Sequence, residues 1–98
     1  MTPPFKLSKK AKDDLVGIAR YTEKTWGREQ RRLYLKKLDS MFYTLADNHE
    51  LGSPCDDVRV GYIKKQVGNH LIFYRFGTTA KIEIIRVLHR RMDVALHL

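Results

Sequence analysis

The stretch from Asn69 to Asp93 constrains the fold most strongly, because it consists of two apolar segments separated by a tight turn. Residues 71–76 and 82–88 are rich in Ile, Val, Phe and Tyr, which are typical of buried β-strands. The turn sequence Gly77-Thr78-Thr79 between them predicts a β-hairpin. The second segment ends in His89-Arg90-Arg91. The hairpin is therefore expected to bring a cationic, titratable cluster to one edge of the molecule.

Two amphipathic helices are predicted before this hairpin. Phe5-Lys6-Leu7 alternates as a short strand does, and Ser8 stands where a helix N-cap is expected. Gly27, directly after Trp26, is a typical helix stop, so the two helices are expected to join there as an antiparallel hairpin. Their apolar side chains recur every three or four residues: Ala11, Leu15, Ile18, Ala19, Thr22 and Trp26 in the first helix, and Tyr34, Leu35, Leu38, Met41, Phe42 and Leu45 in the second.

The remaining segments complete an α+β fold. Residues 48–57 read as a loop, residues 58–67 as a strand with a bulge at Gly61, and Gly68-Asn69 as a turn. Residues 92–98 are expected to form a short helix or a tail. The order β-α-α-β-β-β predicts one domain over residues 1–98, in which an antiparallel-type sheet packs on the N-terminal helical hairpin.

The second face of this sheet is expected to lack a helical cover. Strand alternation sends Phe73 and Tyr74 to opposite faces, so one of the two is expected to be exposed near Arg75. Trp26, Tyr21 and Tyr34 lie on or near the helix stripes, and core packing is the expectation for all three.

The net charge of +8 on 98 residues indicates anionic partners. A role of this charge in solubility alone is the alternative. The sequence contains no apolar run of membrane-spanning length and no export leader, so we expect a cytoplasmic protein without a membrane partner. The single cysteine, Cys55, cannot form an internal disulfide, and Asp56-Asp57 beside it disfavours a thiolate. The histidine spacing suggests no metal site, and no cofactor-binding motif is present.

One enzymatic hypothesis that the sequence supports is RNA cleavage. His89 would serve as a general acid, and cations would stabilise the charge that develops on the phosphate. The basic residues that would have to converge on it are Arg59, Lys64, Lys65, Arg75 and Arg91.

The chain resembles the ParE toxins of the RelE/ParE superfamily from Leu7-Ser8 to Asp93. The resemblance rests on the element order, the Trp26-Gly27 link, and the strand-to-histidine segment Ile84-Ile85-Arg86-Val87-Leu88-His89 with the following Arg91-Met92-Asp93. It implies the toxin half of a type II toxin–antitoxin pair, neutralised by a ParD-like antitoxin and able to form higher-order toxin–antitoxin assemblies. It also implies a non-enzymatic inhibitor that binds DNA gyrase, either free gyrase or the gyrase–DNA complex.

Under this interpretation, the target-binding residues are expected to be Arg75, His89, Arg90 and Arg91. The expected antitoxin contacts are Arg28, Arg32, Lys36, Phe73 and Tyr74. A RelE-like, ribosome-dependent mRNA endonuclease is the alternative, with His89 as the acid and Arg59, Arg75 and Lys64 or Lys65 as phosphate ligands. A general nucleic-acid binder is the third hypothesis, and it is supported by the charge alone.

Overall fold

Two long helices pack against one face of a five-stranded sheet in the computed structural model, which describes residues 3–98. The elements in chain order are β1 (Phe5–Leu7), α1 (Lys9–Trp26), α2 (Arg28–Asp47), a 3-10 turn (His49–Leu51), β2 (Ser53–Pro54), β3 (Ile63–Val67), β4 (His70–Phe76), β5 (Ile82–His89) and α3 (Val94–His97). The strand order is β1-β5-β4-β3-β2. The predicted α+β class, helical hairpin and β4–β5 hairpin are confirmed.

The helical hairpin begins and turns at the residues that the sequence indicates. The Ser8 hydroxyl accepts a hydrogen bond from Ala11 N at 3.0 Å and donates one to the Ile85 carbonyl at 2.7 Å. The N-cap of α1 therefore also fixes that helix to the sheet. At the link between the helices, Gly27 adopts a φ of 92°, which a residue with a side chain rarely adopts.

The main core lies between the two helices and the sheet. Leu38, Phe42 and Leu45 of α2 pack there against strand residues such as Ile72 and Ile84, and all five side chains are buried. Burying each large apolar side chain contributes about 1.5–3 kcal/mol.

Among residues 3–98, Tyr74 has the largest fully buried side chain. Its hydroxyl donates to the His49 carbonyl at 2.7 Å, which satisfies the one polar atom that this side chain brings into the core. Gly52 lies so close to this hydroxyl that a Cβ atom at position 52 would overlap it.

The second face of the sheet is covered around Phe73, contrary to the expectation from the sequence. Phe73, Leu88 and Cys55 form a small buried cluster beneath Val94 and Leu98 of the C-terminal segment. Two arginines hold that segment in place: Arg86 donates to the His97 carbonyl at 2.9 Å, and Arg59 donates to the Leu98 carbonyl. The prediction that Phe73 or Tyr74 would be exposed is therefore wrong, since they are 1% and 0% exposed.

Three details of the sheet also differ from the predictions. Residues 58–62 form turns rather than a strand, because the Cys55 carbonyl accepts hydrogen bonds from Val58 N and Arg59 N, and the Asp56 carboxylate accepts one from Gly61 N at 2.8 Å. Strand β2 is an additional short edge strand. The sheet is mixed, since β1 runs parallel to β5 while the other pairs are antiparallel.

Candidate functional site: an aromatic cleft at one end of the sheet

Two histidines face each other where β4 begins and β5 ends. His70 and His89 are register partners, and their ring centroids lie 5.4 Å apart with the planes at 81°. Nδ1 of His70 lies 2.6 Å from the Tyr34 hydroxyl, which donates to the Val67 carbonyl at 3.2 Å. Strand register and a residue of α2 thus fix the position of the His70 ring.

The β3–β4 turn has little room beside this tyrosine. Gly68 has a φ of 56°, and a Cβ atom there would lie 2.9 Å from the Tyr34 hydroxyl oxygen. Glycine therefore satisfies both the backbone conformation and the close approach of the ring.

The environment keeps His70 uncharged at neutral pH. Burial, and then the neighbouring His89, lower the pKa of His70 below its ordinary value, and Asp14 only partly opposes them. The Tyr34 hydroxyl is both a donor and an acceptor, so it can form the hydrogen bond to Nδ1 in either tautomer of the neutral ring.

A cleft of about 320 Å³ opens beside this pair, between the joined ends of the helices and the end of the sheet. We refer to it as the aromatic cleft, and its lining is Tyr21, Thr22, Trp26, Gln30, Tyr34, Asn69, His70 and His89. Tyr34 is half-buried and packs against the core, in agreement with the prediction of core packing. The prediction of core packing is wrong for Trp26 and Tyr21, which are 69% and 65% exposed. Trp26 is the last residue of α1, so the cleft lies on one side of it and solvent on the other.

Two exposed arginines follow the cleft in the chain. Arg90 N donates to the Asn69 carbonyl at 2.9 Å, and Arg91 N donates to Nδ1 of His89 at 3.2 Å. Neither guanidinium forms an ion pair within residues 3–98. Both charges are therefore available to an anionic partner close to His89.

Arg75, the other predicted target-binding residue, lies at the opposite end of β4. It is five residues from His70, or about 17 Å along a strand, and it forms an ion pair with Glu83 at 2.8 Å. Strand alternation places it on the second face with Phe73, whereas His89 lies on the face that packs against the helices. The structure brings together His89, Arg90 and Arg91, but not Arg75.

Apart from Arg91, the phosphate ligands of the nuclease hypothesis are likewise separated from His89. Lys64 is the register partner of Phe73 and shares its face of the sheet, and Arg59 is bonded to the C-terminal residue. Lys65, the register partner of Ile72, lies on β3, two strands away from His89.

The predicted antitoxin contacts divide into exposed and buried groups. Arg28, Arg32 and Lys36 are exposed on α2, where Arg28 and Arg32 form ion pairs with Glu23 at 3.8 Å and Glu29 at 2.6 Å. Phe73 and Tyr74 are inaccessible to a partner in this conformation.

Sequence analysis missed a second surface, an apolar groove of about 370 Å³ between α1, α2 and β1. We call it the helix groove; its lining is Leu7, Leu15, Val16, Ala19, Leu35, Asp39 and Phe42. The sequence feature that could have indicated this groove is Val16, an apolar residue of α1 that lies outside the apolar stripe. Its side chain is 49% exposed in the structure.

Within residues 3–98, no cluster of three or more His, Cys, Asp or Glu side chains is arranged to hold a metal ion. None of the described helices is long and apolar enough to cross a membrane.

Comparisons of the sequence with known proteins agree on one family. A family described as the ParE toxin of the type II toxin–antitoxin system parDE matches residues 5–94. Toxin ParE1 of Caulobacter vibrioides is 40% identical over 95 residues, covering 97% of both chains. Toxin ParE1 of Mycobacterium tuberculosis H37Rv is 38% identical over 94 residues, 96% of both chains. A solved structure of the chromosomal ParDE system from P. aeruginosa shares the fold, with a TM-score of 0.73 at 17% identity, covering 87% of this chain and 92% of that one.

Proposed function

The chain belongs to the ParE toxin family of type II toxin–antitoxin systems, and from this membership we propose that it inhibits DNA gyrase in the cytoplasm and is neutralised by a ParD-like antitoxin. The inhibition is stoichiometric rather than enzymatic. His89, Arg90 and Arg91 contact gyrase or the gyrase–DNA complex, and the bound toxin traps cleaved DNA.

The observation that supports this mechanism over RNA cleavage is the separation of His89 from most of the cations that cleavage would need. An mRNA endonuclease requires an acid and several cations around one scissile phosphate. Here Arg75 and Lys64 lie on the opposite face of the sheet, and Arg75 is already neutralised by Glu83. The cations beside His89 are Arg90 and Arg91, which suit binding to an anionic surface.

A gyrase assay with purified toxin, DNA and ATP tests the proposal. We expect loss of supercoiling and accumulation of cleaved DNA. The charge-reversal variant Arg90→Glu/Arg91→Glu is expected to lose both effects while remaining folded. A matched control is Lys9→Glu/Lys10→Glu, which changes the net charge equally at exposed positions of α1 and should keep full activity.

Normal gyrase activity in the presence of wild-type toxin would refute gyrase as the target. A fully inhibitory Arg90→Glu/Arg91→Glu variant would refute the binding surface alone. Cleavage of mRNA on ribosomes by the wild type, lost in His89→Ala, would establish the endonuclease alternative.

The helix groove is the surface on which we place the antitoxin. Its lining is apolar except for Asp39, and the exposed Arg32 and Lys36 of α2 lie within a few residues of Leu35. A groove of this composition suits an amphipathic helix that brings apolar anchors into it and acidic side chains onto the basic residues around it. This arrangement replaces contacts at Phe73 and Tyr74, which are buried.

Val16→Glu tests this surface because it places a charge in the groove at a half-exposed site. We expect at least a tenfold loss of affinity for the ParD-like antitoxin in calorimetry, with unchanged thermal stability of the free toxin. Lys12→Glu, an exposed position one turn earlier on α1, is the control and should keep its affinity. Equal affinities for the wild type and Val16→Glu would place the antitoxin elsewhere.

A further inference from the structure

We propose that the aromatic cleft binds an unpaired nucleobase, with Trp26 as the stacking surface. This inference goes beyond gyrase inhibition, because it assigns a nucleic-acid contact to the chain itself. It rests on three observations: two exposed aromatic rings at the mouth of a cleft, hydrogen-bonding groups along its wall, and unpaired cations beside it.

Two aromatic rings at the mouth of the cleft are exposed. Trp26 and Tyr21 are each about two-thirds exposed although they line the same cleft. Exposed aromatic rings beside a positively charged path are the means by which proteins hold single-stranded nucleic acid, since each base offers a face on which to stack. A volume of about 320 Å³ lies at the lower end of the range for ligand sites, about 300–1,000 Å³.

The wall of the cleft offers groups that match the edge of a base. Gln30 and Asn69 carry, as side-chain amides, both a donor and an acceptor, and His70 and His89 add imidazole nitrogens. Bases that are not paired expose donors and acceptors of this kind, and proteins read them with such side chains.

The charges beside the cleft favour a nucleic acid over an aromatic side chain of a protein partner. Arg90 and Arg91 follow His89 directly and have no acidic partner within the described residues. A phosphate on either side of the bound base would supply that partner. An apolar anchor of a protein would instead fit the helix groove, where the lining is mostly aliphatic.

Trp26 is the only tryptophan of the chain, so its intrinsic fluorescence reports directly on this cleft. The experiment titrates the full-length toxin with a short oligothymidylate, and separately with a strand of the same length and charge in which abasic sites replace the bases. We expect quenching of Trp26 by the first strand only, and an affinity for it about tenfold higher than for the abasic strand.

Variants assign the effect to the cleft. Fluorescence anisotropy of labelled strands should show that Trp26→Ala loses about tenfold in affinity for the oligothymidylate and nothing for the abasic strand. Trp26→Phe should recover most of the loss. Phe76→Ala, which removes another exposed aromatic ring at the far end of β4, is the control and should bind as the wild type does.

Equal affinity for the two strands, with equal quenching, would overturn the proposal, because the binding would then be purely electrostatic. A tenfold loss of antitoxin affinity in Trp26→Ala with unchanged oligonucleotide binding would also overturn it, and would make the cleft a protein interface. Gyrase is absent from both binding measurements. The gyrase proposal can therefore fail while this one holds, and this one can fail while the gyrase proposal holds.

Discussion

Removal of the Asp14 carboxylate should destabilise the protein more than the loss of any exposed charge. Asp14 on α1 accepts hydrogen bonds from Nε and Nη2 of Arg86, both at 2.8 Å, and from Val87 N at 3.0 Å. β1 ends opposite Ile84, so the next part of β5 has no neighbouring strand on that side. Asp14 occupies this free edge and ties the first helix to the last strand.

The magnitude of the effect follows from the burial of the pair. Both side chains are only 14% exposed, and removing one partner of a buried ion pair costs about 3–5 kcal/mol. Asp14→Ala leaves Nε and Nη2 of Arg86, and also Val87 N, without their acceptor, and we expect a loss of about 3 kcal/mol. Such a loss is a large part of the total for a domain of this size, about 5–15 kcal/mol.

Urea denaturation measures the loss as a shift of the midpoint at constant slope. Asp13→Ala is the matched control, since it removes a neighbouring exposed carboxylate from the same helix, and it should change the free energy of unfolding by less than about 0.5 kcal/mol. The double variant Asp14→Ala/Arg86→Ala should cost clearly less than the sum of the single changes, because the two residues interact. A loss below about 1 kcal/mol for Asp14→Ala, or simple additivity, would refute this account of the pair.

Three further predictions follow from other contacts. Gly52→Ala should lower the melting temperature by several degrees, because its Cβ would overlap the Tyr74 hydroxyl; unchanged melting would show that this loop adjusts freely. Cys55 is buried, and burial raises the pKa of its thiol, so DTNB should label it slowly. Removal of residues 94–98, which cover this cysteine, should make labelling at least tenfold faster. Equal labelling rates before and after the truncation would contradict that cover. Burial lowers the pKa of His70 below 6.5, so the unfolded chain binds this proton first as the pH falls, and the free energy of unfolding should decrease from about pH 6.5 downward. His70→Gln should reduce this pH dependence in denaturation curves measured at pH 7 and pH 5. An identical dependence in the variant would exclude His70 as its source.

The predictions that succeeded depend on interactions between near neighbours in the chain. The N-cap at Ser8 and the link at Gly27 follow from local backbone chemistry, and the structure has both. The strand predicted from residue 58 fails for a local reason as well, because the Asp56 side chain bonds to Gly61 N and holds a turn. Val60 within that turn is 84% exposed in spite of its apolar side chain.

The parts that could not be predicted depend on contacts between distant residues. The cover over Phe73 requires residues 94–98 to fold back onto the sheet, where Arg86 and the more distant Arg59 provide the anchors. The meeting of His70 with Tyr34 and His89 depends on strand register and on the packing of α2. Periodicity places Trp26 on the apolar stripe of α1, but it cannot show that the sheet ends before reaching that residue.

The parallel pairing of β1 with β5 has a consequence for the order of events during synthesis. The first strand, Phe5–Leu7, pairs in register with Ile82, Glu83 and Ile84 of β5. The helical hairpin contains mostly local contacts and can form while the chain is still emerging, but the first strand cannot pair until β5 has been translated. The ribosome adds about 5–20 residues per second, so for several seconds a nascent toxin has helices without a closed sheet. His89, Arg90 and Arg91 follow Ile84 in the chain, so the surface that we propose for gyrase binding is translated only after the partners of the first strand.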